Sequence, residues 1–293
     1  MTRSPSSLRH TRLGHTATIA AVAAAAAIFL SVPVSVIGQH LSVQPPPAVP
    51  TSADQIQNID QVKTAIKGYY GDTVTATVDP VPNANADGAD GGHKLLHTFS
   101  ATGSYANEMA GVVADAEKYL RKPNAGSGTG IKAILFDVDD TTLNTYNYEI
   151  YSNFVYNPTQ NAYFVNACLT TGCVFPAVPH MVDLAQYAQS QGYTVFFLTG
   201  RPGTQKDGTI ANLENAGYDV NPDNLYLKDY TVDTWLSSCA TSCTTIQYKS
   251  LTRQHIESLG FDIVANFGDQ FSDLTGGFAD ETFKLPNPTY YLP

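Results

Sequence analysis

From Ile131 onward, short apolar runs alternate with amphipathic ones, and acidic residues stand where the apolar runs stop. No other feature constrains the fold as tightly. Ile131 to Asp137 reads as a buried strand, Val182 to Ser190 as a helix stopped near Gly192, and Thr194 to Thr199 as a second strand. Lys206 to Ala216 is a helix ending at Gly217, Asn224 to Lys228 a third strand, and Tyr248 to Leu259 a helix ending at Gly260. Asp262 to Gly268 is a fourth strand and Thr282 to Leu285 a short fifth. Glycine stops a helix because it enters the left-handed region without steric cost. Strands alternating with helices predict an α/β fold, a Rossmann-like parallel sheet with helices on both faces. Such sheets gather their reactive groups beyond the carboxyl ends of the strands, at the topological switch point.

The residues at those ends carry the chemistry. The first strand runs into Asp137-Val138-Asp139-Asp140-Thr141, the second into Thr199-Gly200-Arg201, and the fourth into Gly268-Asp269-Gln270, with Asp273 four residues past Asp269. Lys249 opens the helix before the fourth strand. Parallel strands deliver all of these to one edge. The carboxylates of Asp137, Asp139, Asp269 and Asp273 repel one another there. A divalent cation relieves the repulsion, and hard oxygen donors favour Mg2+. Thr199 and Lys249 are donors suited to phosphate oxygens. The competing reading of Asp-x-Asp is a calcium loop. The EF-hand pattern counted from Asp137 needs Gly and Glu where Thr142 and Tyr148 stand, and a strand precedes the motif instead of a helix.

Upstream, Asp54 to Tyr70 carries Ile56, Ile59, Val62, Ile66 and Tyr70 at helical spacing, and Tyr105 to Leu120 forms a second amphipathic helix. Together they predict a helical N-terminal extension. Asp79 to His93 is a loop. Gly126-Ser127-Gly128-Thr129-Gly130 has the look of a phosphate-binding run, but it precedes a strand where such loops follow one, so it reads as a flexible connector. Asn144 to Pro179 exceeds the needs of a single crossover, so a small cap insertion is expected after the first strand, over about 144–179. Tyr146, Tyr148, Tyr151, Phe154, Tyr156, Tyr163 and Phe164 in it either pack the cap or offer a platform to an aromatic leaving group.

The beginning of the chain reads as an export signal. Arg3, Arg9 and Arg12 precede an apolar run from Ala17 to Ile37, and Val36-Ile37-Gly38 ahead of Gln39 offers a cleavage site. An uncleaved anchor is the alternative, although the run is Ala-rich and holds Pro33. The organisation is then a signal peptide over 1–38, a Pro-rich linker over 39–53 and one domain over 54–293. The cysteines agree with an extracytoplasmic or secreted destination. Cys168/Cys173 and Cys239/Cys243 are two close pairs, read as local disulfides. A zinc site is the sharper alternative, but the spacings differ from a zinc ribbon and no His sits beside either pair. Net charge is -10, and becomes -13 once residues 1–38 with their three arginines are removed. That argues against a nucleic-acid partner, which wants a basic face. No stable membrane insertion is expected after signal cleavage.

The constellation resembles the haloacid dehalogenase (HAD) superfamily, and within it the exported acid phosphatases that include plant vegetative storage proteins and class B-like acid phosphatases. The likeness rests on FDVDDTTL (136–143), FFLTGRP (196–202), YKS (248–250), GFDIVANFGDQFSDL (260–274) and TFKLPNP (282–288), with AIKGYY (65–70) upstream. It departs in the flanks of the first motif and in the two Cys pairs, so no substrate is carried over. The resemblance implies a Mg2+-dependent acid phosphatase acting on small-molecule phosphomonoesters through an aspartyl-phosphate. Asp137 would be the nucleophile, and Asp139 the general acid and then base. Asp137, the backbone carbonyl of Asp139, and Asp269 would hold Mg2+, with Asp273 acting through water. Thr199, Gly200 and Lys249 would hold the phosphoryl oxygens. Asp140 caps or orients the loop or is merely solvated, and Arg201 meets either substrate phosphate or an acidic partner. Some storage-type relatives have lost the nucleophile; Asp137 is present here. Two other readings stay open: a non-enzymatic exported storage or binding protein, and phosphotransfer to an alcohol acceptor.

Overall fold

The computed structural model describes residues 49–75, 79–82, 96–126, 128–239 and 242–292. The expected signal segment, most of the Pro-rich linker and most of the Asp79–His93 loop lie outside the described residues. Helix α1 (Ile59–Tyr70) and helix α2 (Ser104–Leu120) flank two short antiparallel strands, β1 (Thr73–Thr75) and β2 (Leu96–Thr98). Helix α1 starts later than its apolar spacing predicts. Asn58 closes a capping box with Gln61, which fixes the first turn there. Ile56 and Ile59 are left exposed, and Tyr70 is the buried end of the stripe.

Five parallel strands follow: β3 (Ile131–Phe136), β4 (Thr194–Pro202), β5 (Leu225–Lys228), β6 (Phe261–Gly268) and β7 (Glu281–Lys284). Their order is β5-β4-β3-β6-β7. Alternate residues of a strand point to opposite faces. Ile134 and Phe136 therefore enter one core with Leu184 of α5 (Met181–Ser190) and Leu213 of α6 (Lys206–Ala216). Ala133 and Leu135 enter another with Tyr248 and Ile256 of α7 (Thr245–Ser258). A strand covered on both faces needs apolar side chains on both, hence the unbroken run Ala133–Phe136. The chain winds outward from β3 to β5, then returns across it to β6, so the winding reverses between β3 and β6.

The glycine run precedes β3, at the end of the strand opposite Asp137. Its glycines are closely packed and not loose. Gly128 N donates to Asp262 Oδ2 at 3.1 Å, and a Cβ on Gly130 would lie 2.6 Å from the Gly260 carbonyl. Both cysteine pairs are local disulfides, Cys168–Cys173 and Cys239–Cys243, which accounts for all four thiols and leaves none for zinc. Residues 144–179 carry α3 (Tyr146–Tyr151) and α4 (Pro158–Val165) before the chain rejoins the first motif, with Val178 N donating to the Thr142 carbonyl at 2.9 Å. Tyr146, Tyr148 and Phe164 are fully buried here, so packing is their role. The Tyr146 ring stacks on Tyr70 at 4.2 Å and its hydroxyl donates to Asp72 Oδ1 at 3.0 Å. Tyr156 and Tyr163 stay exposed. Among the described residues no helix is long and apolar enough to cross a membrane.

Candidate functional site

Strands β3 and β6 are parallel neighbours, and each is followed at once by an aspartate. Asp137 and Asp269 therefore emerge side by side at the switch point. Asp137 N still donates to the Phe267 carbonyl at 2.9 Å, which extends the ladder by one residue and fixes the backbone of Asp137. Asp273 turns back from the short helix α8 (Phe271–Leu274), where its Oδ2 accepts from Gln270 N at 2.9 Å. Gly268 makes room for it, since a Cβ there would sit 2.4 Å from the Asp273 Cβ. Asp137, Asp269 and Asp273 each offer an oxygen within 4.8 Å of the others, and all three are buried.

Lys249, from the first turns of α7, is the cation in this cluster. Its ammonium donates to Asp137 Oδ1, to Asp273 Oδ1 at 3.1 Å and to the Leu198 carbonyl at 2.6 Å, which uses all three of its hydrogens. Burial alone would favour the neutral amine, but Asp137 and Asp273 hold the Lys249 pKa above its ordinary value. Burial pushes Asp137 well above the usual carboxylate range, Lys249 opposes this, and the charges of Asp273, Asp269 and Asp139 add to it. Asp269 is pushed up to about 6 by burial and by Asp273, against the hydrogen bonds from Asn287 and Gln270. Three carboxylates facing one ammonium leave surplus negative charge in a buried space. A hard, oxygen-only donor set with that surplus fits a small divalent cation.

Asp139 stands apart from the cluster, and its carboxylate is clamped by Arg201. Nη2 donates to Oδ1 at 2.6 Å and Nε to Oδ2 at 3.0 Å. The structure thus gives Arg201 an acidic partner. Arg201 itself is buried, with Nη1 donating to Thr209 Oγ1 at 3.0 Å. Thr199 lies between the two groups, fully buried, with Oγ1 accepting from Arg201 N at 3.1 Å and 3.5 Å from Asp139 Oδ2. Gly200 is exposed beside them, and a Cβ there would meet nothing within 4 Å. Asp140 is buried and orients the loop. It takes φ 53, a left-handed value that Asp tolerates, and accepts from Thr145 N at 3.0 Å and Thr145 Oγ1 at 2.5 Å. Burial, then the Asp269 charge, pushes Asp140 up to about 7.

Three further residues reach this site to which the sequence attached no role. Asn287, after β7, donates from Nδ2 to Asp269 Oδ2 at 2.7 Å. Tyr290 lies close enough to the acids that burial and the charges of Asp269, Asp140, Asp139 and Asp137 push its phenol well above the ordinary value. Glu149 of α3 is buried and pushed up to about 8, by burial first and then by Asp140, Asp139 and Asp269. Asn287 stands in the TFKLPNP stretch (282–288) that carries the family likeness, but with no role of its own, and Glu149 sits inside an aromatic run with no local signal of chemistry.

Known proteins resemble the chain in sequence and in fold. It is 32% identical over 189 residues to Acid phosphatase 1 of Solanum lycopersicum, across 64% of this chain and 69% of that one. It is 32% identical over 162 residues to Vegetative storage protein 2 of Arabidopsis thaliana, across 54% of this chain and 56% of the other, so the match spans little more than half of that relative. The Class C acid phosphatase from Bacillus anthracis superposes with a TM-score of 0.52 at 21% identity, over 65% of this chain and 80% of that one, which shows a shared fold. Residues 93–293 as a whole match a single family description. On that match the chain belongs to the HAD superfamily, subfamily IIIB (acid phosphatase).

Proposed function

We propose that this chain is an exported, Mg2+-dependent acid phosphatase that hydrolyses small-molecule phosphomonoesters through an aspartyl-phosphate on Asp137. One observation carries the reading: a rigid, buried carboxylate at the switch point is bracketed by Lys249 and by two more carboxylates, with Asp139 held separately by Arg201. An Asp137 oxygen attacks phosphorus in line while the bond from phosphorus to the leaving oxygen breaks. Asp139 gives its proton to that leaving oxygen. It then takes a proton from the water that attacks the phosphoryl group, which frees phosphate and restores Asp137. Asp137, the backbone carbonyl of Asp139, and Asp269 would hold Mg2+, with Asp273 acting through water. When bound, the ion neutralises charge on the phosphoryl oxygens. Thr199, Gly200 and Lys249 receive those oxygens. Lys249 has its three hydrogens engaged, so it must release the Leu198 carbonyl or Asp273 to do so.

Residues 1–38 act as a signal peptide and 39–53 as a linker, ahead of a phosphatase domain over 54–293 in which 144–179 forms a cap. Two local disulfides fit the oxidising side of a membrane. The test is a panel of phosphomonoesters assayed with the mature protein, with and without chelator, beside Asp137→Asn. Hydrolysis that chelation removes and Mg2+ restores is expected, with neither turnover nor trapped phosphoenzyme in the variant. Folded wild-type protein that cleaves no member of the panel would overturn the proposal and favour the storage reading. Phosphorylated alcohol forming in place of free phosphate would favour transfer.

A further inference from the structure

The segment that follows β7 is fastened to the loop that follows β6, and the fastening ends on one oxygen atom. Asp269 Oδ2 accepts from Asn287 Nδ2 at 2.7 Å and from Gln270 Nε2 at 2.7 Å. A carboxylate oxygen has two lone-pair directions, so these amides fill both. Oδ1 of the same carboxylate takes a longer bond, from Thr141 Oγ1 at 3.3 Å. Neither amide can turn over. Asn287 Oδ1 accepts from Thr289 N at 2.8 Å and from Thr289 Oγ1 at 2.5 Å, so reversing it would face donors with donors. Gln270 Oε1 accepts from Leu292 N at 3.0 Å, which sets its Nε2 toward Asp269 in the same way. Ser272 Oγ also donates to the Leu292 carbonyl at 3.2 Å, which pins the segment at its far end.

We infer that Asn287 is a positioning residue for the cation site, fixed by Thr289 and working together with Gln270. The two amides saturate Asp269 Oδ2 and leave Oδ1, with its one longer bond from Thr141, as the oxygen that would be available to the ion. Uncharged donors suit this task, because they orient the carboxylate without opposing the charge of the cation. Replacing a partner that orients a metal ligand in this way typically costs about 10–100-fold in metal affinity or activity. The inference rests on the proposed function only in taking Asp269 as a ligand.

The test measures cation binding directly, by calorimetry with Mg2+ and by electron paramagnetic resonance with Mn2+, on wild-type protein, Asn287→Ala and Thr289→Val. Thermal unfolding in chelator serves as the structural control. Asn287→Ala should raise the Mg2+ Kd about tenfold or more. Thr289→Val keeps the backbone N–H and loses only the hydroxyl, so it should shift Kd in the same direction by less. In Asn287→Ala the loss of activity at low Mg2+ should narrow as Mg2+ is raised. A folded Asn287→Ala whose Kd stays within about twofold of wild type would overturn the inference, whatever its unfolding temperature. If Asn287→Ala does not fold, an unchanged Kd in Thr289→Val overturns it. Wild-type protein that binds neither ion sinks this inference and the metal part of the proposed function together. Binding that is equal in all three proteins sinks this inference alone.

Discussion

Arg253 is among the largest fully buried side chains of the described residues, and replacing it with methionine should cost about 1–2 kcal/mol. Its guanidinium, on α7, donates to the Gly277 carbonyl at 2.7 Å, the Asp273 carbonyl at 2.6 Å and the Thr275 carbonyl at 2.7 Å. Ser250 on the same helix adds a bond to the Gly276 carbonyl at 2.7 Å, so α7 grips the whole turn that follows Asp273. Methionine keeps much of the stem's volume and donates nothing. The Asp273 carbonyl would retain Asn266 Nδ2 at 3.0 Å, which leaves the Thr275 and Gly277 carbonyls without a partner. An orphaned buried polar group costs about 1–3 kcal/mol, which gives about 2–6 for the pair. Thr275 and Gly277 are exposed residues, so water reaches part of each carbonyl and the lower end applies. Removing a buried cation, whose pKa is drawn down to about 10 by burial, offsets a further part. Urea unfolding followed by circular dichroism would measure the difference from the midpoint at constant slope. Arg253→Lys keeps some of the donors and should fall between. A change within about 0.5 kcal/mol, the range of an ordinary surface substitution, would refute the reasoning.

Asp139→Asn should lower turnover of alkyl phosphates by about two to four orders of magnitude and of aryl phosphates by less, because a good leaving group needs the proton least. Equal losses on both would deny it the role of proton donor. Asp269→Asn should abolish activity at low Mg2+ and recover little in excess, whereas Asp273→Asn should be milder and partly rescued. Identical magnesium dependence in both would misplace the site. Tyr156→Ala should weaken aryl or nucleoside phosphates relative to glycerol phosphate, while the buried Tyr146→Ala should lower the unfolding temperature without shifting preference. The reverse pattern would return the leaving group to Tyr146.

The centre of the sheet and its acids are legible because β3 and β6 are short apolar runs each followed at once by an aspartate. The end of helix Lys206–Ala216 is legible because Gly217 marks it in the left-handed region. Spacing overextends helix α1 because Ile56 continues the pattern but meets no core, and spacing alone cannot tell a buried isoleucine from an exposed one. Arg253 was invisible for the converse reason: an arginine on an amphipathic helix reads as solvated, and only the fold shows three carbonyls converging on it. The partner of Arg201 was undecidable until β4 and the loop after β3 were brought together. Asn287 lies 18 residues from Asp269, with β7 in between, and no periodicity joins an amide to a carboxylate at that range.

Helix α6 meets the segment carrying α4 at glycine distance. A Cβ on Gly208 would lie 2.4 Å from Asn166 Oδ1 and 2.9 Å from the Val165 carbonyl, and the buried Asn212 donates to that same carbonyl at 2.6 Å. Parts joined this closely move as one piece. The stretch carrying α4 is therefore docked on α6 without room for a single methyl group, so any side chain at position 208 would part the two.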